Sequence, residues 1–389
     1  MFNLLTSTVM TAGLAIFSMF FGAGNLMYPI KGGLNSGQHM AAGLAGFLLT
    51  TVVLPVIGLV AIVLFNGNYR HFFGRLGVFP GTVLVGFSMA VIGPFIAMPR
   101  TVTLSHIMLE PFFEGGISLA TFSIIFCGLT FLATYRENRL ISLLGHVISP
   151  ALLTSLGYIL IKAILNPQAI VPTCKSATTI FYEQAVLGYG HLDLFGGIFF
   201  ASIVLNILRQ NAGENNDYNL RTLAWTSIKA GVIGAILLAL VYIGMFYLGS
   251  YYGSSIQVSN IAKLFSAISF EVVGASGALA IATAVGMACF STIVALAIVL
   301  AEYLHKEVTG GVLSYVHALI LVLTTTAFIS CYGLDTIMMY SVPVMNIFYP
   351  VVITVTLCNL AYKLFNFKPI RIPALVTLLA SIYFNCFAQ

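Results

Sequence analysis

Apolar runs of about 20 residues recur along the chain, each long enough as a helix to cross about 30 Å of hydrocarbon, with short polar connections between them. They fall at approximately residues 7–30, 40–64, 82–105, 117–134, 142–164, 183–208, 223–249, 273–304, 312–330, 338–360 and 372–388. This pattern predicts an all-α polytopic membrane protein with about eleven transmembrane helices. The longest connections, near 165–182 and 250–272, are too short and too apolar to fold alone. Residues 1–389 therefore read as one transmembrane domain with no room for a soluble catalytic unit.

The first run, GLAIFSMFFGAGNLMYPI over residues 13–30, is interrupted in its middle by Gly22-Ala23-Gly24-Asn25. Glycine loses the most backbone entropy on becoming helical, so the helix is expected to break there. In hydrocarbon, broken backbone survives only where it is buried in protein or lines a cavity. Its freed carbonyls then suit a cation, and the N-terminus of the following half-helix suits a carboxylate. The alternative is a glycine packing notch between helices, with Pro29 ending the span.

A second interruption of the same kind occurs at Leu187-Gly188-Tyr189-Gly190-His191-Leu192-Asp193, at the head of the sixth run. A glycine-interrupted span thus opens each block of five. Because five is odd, the second block enters the membrane upside down relative to the first, which is the inverted-repeat plan of many secondary transporters. The expected repeats are residues 7–164 and 183–360, with an extra helix at 372–388. Asp193 sits where the half-helix restarts; it either caps that helix or offers its carboxylate to a cation or an ammonium group. In the eighth run Ser291 and Thr292 are adjacent hydroxyls in an apolar helix. They either bond their own preceding turn or complete the oxygen shell of an ion held at the first break. Arg100, in the third run, either faces protein and finds a partner or snorkels to the interface.

Composition agrees: 59% of residues are hydrophobic and 7% charged, far from the roughly 25% charged of soluble domains, and mean hydropathy is +1.02. The net charge of +5 is dispersed, with no basic stripe for a nucleic acid. Its placement reports orientation instead. With a cytoplasmic N-terminus, inside loops hold ten basic residues (Arg70, Arg75, Arg136, Arg139, Arg209, Arg221, Lys306, Lys363, Lys368 and Arg371) and outside loops three (Lys31, Lys175 and Lys263). The first run lacks the basic flank and cleavage site of a signal peptide. The six cysteines are scattered without metal-ligand spacing, and no H-E-x-x-H, G-x-S-x-G or Walker loop occurs. Nothing implies an enzyme or a bound cofactor, and a channel's charge rings are absent too.

Five stretches, FSMFFGAGNLMYP, GPFIAMPRT, LGYGHLDLFGG, ACFST with the following AEY, and SVPVMNIFYP, resemble in content and order the signature segments of the bacterial branched-chain amino acid:cation symporters, the BrnQ (LIVCS) family. The resemblance covers residues 13 to about 360. That family is similar in turn to the leucine-transporter-like fold, with a five-plus-five inverted repeat and discontinuous first and sixth helices. The resemblance implies sodium-coupled uptake of leucine, isoleucine and valine across the bacterial cytoplasmic (inner) membrane.

Carried over by position, it implies that Gly22, Ala23, Gly24 and Asn25 hold the substrate carboxylate, with Asn25 near substrate or ion. It implies a sodium site of the Ser18, Phe21 and Ala288 carbonyls and the Ser291 and Thr292 hydroxyls. Tyr189 matches the aromatic that covers the aliphatic side chain, and Gly188 and Gly190 frame the second break. There are departures. His106 and Ile107 replace the aromatic and acid that usually follow the serine after the third-span arginine, and His191 replaces a threonine. Eleven runs are present where the family commonly has twelve. These changes bear on substrate range and on the choice of sodium or proton.

Overall fold

The computed structural model describes residues 2–22, 24–113, 115–135, 149–170, 172–201, 205, 220–253 and 261–386. Among them every regular element is helical. Ala23, Arg136, Arg139 and Arg209 lie outside the described residues.

The first apolar run folds as α1 (Phe2–Phe20) and α2 (Gly24–Ser36), and the cause of the break is local. The Asn25 side-chain oxygen accepts the Gly22 N–H at 3.0 Å, and the Asn25 N–H turns back to the Gly22 carbonyl at 3.1 Å. In an unbroken helix those two N–H groups would close on the carbonyls of Ser18 and Phe21, four residues earlier. Both carbonyls are therefore released. The second run is α3 (Met40–Leu48) and α4 (Leu54–Val63) joined by a π turn over Leu49–Val53, where Pro55 has no N–H to complete the ladder. After α5 (Tyr69–Gly74), the third run is α6 (Val78–Ala90) and α7 (Ala97–Leu109), separated by a wide turn at Gly93-Pro94. Helices α8 (Leu119–Thr134) and α9 (Ser149–Leu165) follow.

Helix α10 (Ala177–Leu187) starts at a Ser176 cap, earlier than the run drawn at 183. It ends in a 3-10 turn over Gly188–His191, and Leu192 takes a left-handed conformation at φ 67° before α11 (Asp193–Phe199) begins. A bulky residue in that region is strained and must be held by its surroundings. The rest of the chain is α12 (Leu220–Tyr252), α13 (Ile261–Glu302), α14 (Tyr315–Ser330), α15 (Leu334–Phe365) and α16 (Arg371–Cys386). Helix α13 bends sharply at Gly274, φ 71°, so residues 261–273 form a separate helical segment where hydropathy suggested only a connection. Leu264, Phe265 and Ile268 explain it, since all three lie on one face and are buried.

Among the described residues, each apolar run expected from the sequence contains helix. Among the described residues, five helical stretches are long and apolar enough to cross a membrane: Gly24–Val63, Val78–Phe112, Trp225–Tyr252, Ala262–Val308 and Leu334–Phe365. Because Gly24–Val63 joins two runs through a 3-10 turn at Gly37–His39, the number of crossings is not the number of helices.

Packing sorts the helices into two layers. In one, α12 runs along α1 and α2, α10 packs on α3, and α11 on α4; in the other, α13 packs on α7 and α9, and α14 on α8. Small residues set the closeness within the first layer. A Cβ on Gly33 would strike the Phe246 carbonyl and one on Gly249 the Ile30 carbonyl, the contact by which membrane helices gain van der Waals area where lipid removes the hydrophobic drive. Both helix breaks fall in this first layer, and their open ends face α7 and α13 of the second.

Candidate functional site

The carbonyls released by the first break do not go unused. Thr292 Oγ1, on α13, donates to the Phe21 carbonyl at 3.0 Å, and Ser291 Oγ donates to the Ser18 carbonyl at 3.1 Å. Both hydroxyls also reach the Ala288 carbonyl, at 2.7 Å from Ser291 and 3.2 Å from Thr292. Five oxygens, three of them carbonyl and two hydroxyl, thus converge between the layers, and Ser18, Phe21, Ala288, Ser291 and Thr292 are all buried. Oxygen donors suit a hard cation, and a set with no carboxylate suits one of single charge, since divalent ions call for anionic ligands. Because each hydroxyl has a bond to its own preceding turn in reserve, it can swing its hydrogen there and present a lone pair to an ion.

Beside these oxygens a second polar group links the two breaks. Asp193 Oδ2 accepts from the Tyr242 hydroxyl at 3.0 Å and from Asn25 Nδ2 at 3.4 Å, and Asn25 Nδ2 also bonds the Tyr242 hydroxyl. His191 Nδ1 lies 3.3 Å from the same Asp193 oxygen, and its ring packs edge-on to Phe47 at 5.0 Å. Asn25 therefore does three jobs at one position, capping Gly22, freeing the Phe21 carbonyl and meeting Asp193. The restart of α11 is held from the far side, where the Tyr349 hydroxyl accepts the Leu194 N–H at 3.2 Å.

Gly22, Gly24, Asn25, Asp193 and Thr292 line one cavity of about 50 Å³. Met19, Phe20, Ile92, Phe200 and Leu296 supply its apolar wall. Other expected residues lie outside it. Tyr189 packs on Tyr349 at 5.2 Å between ring centroids and is not part of the lining, whereas Phe20, Phe200 and Leu192 are. Gly188 and Gly190 make close packing contacts, their missing side chains leaving room for Thr50 and for the Tyr28 ring. Residues the motifs did not single out are Tyr242 and Tyr349, each fully buried with a placed hydroxyl. The signal for Tyr242 was a lone hydroxyl in the run LALVYIGMF; Tyr349 stood inside a segment already quoted, SVPVMNIFYP.

Residues 5–387 match the sequence profile described as branched-chain amino acid transport protein. The branched-chain amino acid permease BraB of Bacillus subtilis is 30% identical over 362 residues, covering 91% of this chain and 80% of BraB. The permease BrnQ of Escherichia coli is 27% identical, with 88% of this chain and 77% of BrnQ covered. Both are permeases, not enzymes. Among solved structures, Mhp1, a nucleobase-cation-symport-1 family transporter in a closed conformation with bromovinylhydantoin bound, superposes with a TM-score of 0.63 at 13% identity, covering 96% of this chain and 91% of Mhp1. A manganese transporter of Eremococcus coleocola gives 0.59 at 16% identity, with 99% and 86% covered. The fold is thus the five-plus-five inverted repeat with discontinuous first and sixth helices, in a multi-pass membrane protein. By the match over nearly its whole length, the chain belongs to the branched-chain amino acid transport protein family.

Proposed function

We propose that this protein takes up leucine, isoleucine and valine by alternating access, coupled to sodium. The observation that carries the reading is the convergence of the Ser18, Phe21 and Ala288 carbonyls with the Ser291 and Thr292 hydroxyls, a set that meets the cavity between the two breaks through Thr292. Sodium there ties the broken helix of one layer to α13 of the other. The amino acid binds beside it, its carboxylate toward the main chain of Gly22 and Gly24 and the Asn25 amide, and its ammonium toward Asp193. By linkage each ligand tightens the other, by roughly 1–3 kcal/mol. The permease names of the relatives support a branched aliphatic substrate, and the apolar wall of Met19, Phe20, Ile92, Phe200 and Leu296 suits one. One methylene changes affinity by only about 1–3 kcal/mol, so all three amino acids are accepted.

The cavity as it stands, about 50 Å³, holds little more than a few waters. Loading requires the layers to part, which is the motion alternating access describes. In this reading the repeats are residues 7–164 and 183–360, the N-terminus is cytoplasmic, and the membrane is the bacterial cytoplasmic one. The test is uptake of labelled leucine into proteoliposomes with and without an inward sodium gradient, with a panel of amino acids as competitors. Uptake indifferent to sodium removes the coupling, and competition by aromatic but not branched amino acids removes the substrate.

A second reading, proton coupling, is favoured by the buried contact of Asp193 with His191 and Tyr242, a carboxylate with neighbours able to carry a proton. It shares the fold and substrate and differs in the ion.

A further inference from the structure

Among the described residues, Arg100 alone is shared by the walls of the small cavity between the breaks and of a vestibule of about 540 Å³ at the far end of α2 that Tyr28, Lys31, Gly190 and Met338 also line. Its side chain is 2% exposed. Nη1 donates to the Gly190 carbonyl at 2.9 Å, and Cζ lies 5.2 Å from the Tyr28 ring centroid. Nη2 occupies the space left by Gly24, where a Cβ would come within 3.2 Å of it. Among the described residues, Nε has no hydrogen-bond partner and no carboxylate pairs with the guanidinium.

A guanidinium stays charged and offers five N–H groups in a fork that matches a carboxylate. Buried with a neutral carbonyl and an aromatic face as its partners, it lacks the anion that would offset its desolvation. That anion is what an amino acid brings. The guanidinium adjoins the first break through Gly24 and the second through Gly190, and it lies on α7, in the layer opposite both. Across the same small cavity stands Asp193, of opposite sign.

We propose that Arg100 is the receptor for the substrate's α-carboxylate. The amino acid enters by the vestibule, its carboxylate displaces the Gly190 carbonyl from the guanidinium, and its ammonium faces Asp193. The exchange releases the second break from α7 while a new bridge forms through the substrate, so the Arg100 contact between the layers changes when, and only when, substrate arrives. This rests on the amino-acid transport reading above and adds to it the charged partner of the carboxylate, which main-chain N–H groups alone do not supply.

The test measures competition of labelled leucine binding by leucine and by leucinamide, which keeps the ammonium and side chain and lacks the negative charge. In the wild-type protein leucinamide is expected to compete at least about 30-fold more weakly, the consequence of leaving a buried charge unpaired. In Arg100→Gln the two should compete within a few-fold of each other, with leucine weakened; Arg100→Lys should keep the preference for leucine at reduced affinity. Sodium-dependent thermal stabilisation of each variant reports that it is folded with its ion site intact. Equal competition by leucinamide in the wild-type protein overturns the assignment without any variant, as does an unchanged leucine-to-leucinamide ratio in folded Arg100→Gln. Wild-type protein that binds no branched-chain amino acid at all instead removes the transport reading, and the Arg100 assignment with it.

Discussion

Thr292 Oγ1 and the Phe21 carbonyl, 3.0 Å apart, join α13 to the end of α1 across 271 positions of sequence. The bond exists because the Asn25 N–H has turned from that carbonyl to Gly22. An acceptor that helix geometry would have consumed is left for the opposite layer, and the break is therefore also the means of building an oxygen cage. Removing the hydroxyl tests whether the cage holds an ion. In Thr292→Ala the sodium concentration for half-maximal leucine uptake should rise on the order of tenfold, the effect of about 1.4 kcal/mol. Sodium affinity measured directly on purified protein should move by the same factor. An unchanged affinity takes Thr292 out of the site.

Asn25 separates two functions that its position combines. Asn25→Asp keeps an oxygen for the Gly22 N–H but can no longer donate to Asp193, and it sets a second carboxylate beside the first. Asn25→Ala loses both contacts and frees the Gly22 N–H to close on the Ser18 carbonyl, mending the helix. Asn25→Ala should therefore weaken sodium and leucine together, whereas Asn25→Asp should spare sodium and weaken leucine. Paired titrations of the two ligands distinguish these patterns. Equal loss of sodium affinity in both variants means that the cap does not control the released carbonyls.

Both breaks were legible in the sequence because their cause is local: glycines that make helix unfavourable, and an Asn25 side chain that reaches three residues back. Ser291 and Thr292 stood out because hydroxyls are conspicuous in an apolar helix. What stayed hidden depends on contacts between distant segments. Arg100 was visible as a charge at membrane depth, but its partner is the main-chain carbonyl of Gly190, which no residue identity announces. The resemblance implies that Tyr189 covers the substrate side chain, a role its sequence position alone does not reveal; in the structure its ring packs on Tyr349. Residues 261–273 read as a connection because Lys263, Ser266, Ser269 and Glu271 interrupt their apolar positions before these reach membrane length. The buried apolar side chains of Ala262, Leu264, Phe265 and Ile268 still suffice once a surface is there to receive them.

Two glycines predict opposite responses to the same change. A Cβ on Gly190 would fall onto the Tyr28 ring, while one on Gly128, in α8, would meet nothing within 4 Å. Gly190→Ala should destabilise by about 1–3 kcal/mol, as overpacking does, and should depress uptake because Tyr28 and Arg100 share that corner. Gly128→Ala should be neutral or stabilising by roughly 0.5–1 kcal/mol, since alanine loses less backbone entropy in a helix. Thermal unfolding in detergent gives the order directly. A Gly190→Ala protein as stable as Gly128→Ala would mean that the second break has room to spare.

Asp193 decides between the two coupling ions. Its carboxylate is held by Tyr242 and Asn25 and touched by His191, an arrangement that serves equally to meet an ammonium group and to carry a proton. The two roles diverge when the charge is removed. With sodium as the coupling ion, Asp193→Asn loses a partner for the ammonium, so leucine affinity should fall by about 30-fold or more. The residual uptake should still rise with an inward sodium gradient, and its pH profile should keep the wild-type shape. With protons as the coupling ion, a wild-type inward proton gradient drives uptake without sodium, and Asp193→Asn abolishes that drive while exchange of internal for external leucine persists. Measuring gradient-driven uptake and exchange in the same vesicles separates the cases, because exchange needs a working substrate site but no ion gradient. Sodium-driven accumulation in the variant places the coupling at Ser291 and Thr292; its loss, with exchange intact, places it at Asp193.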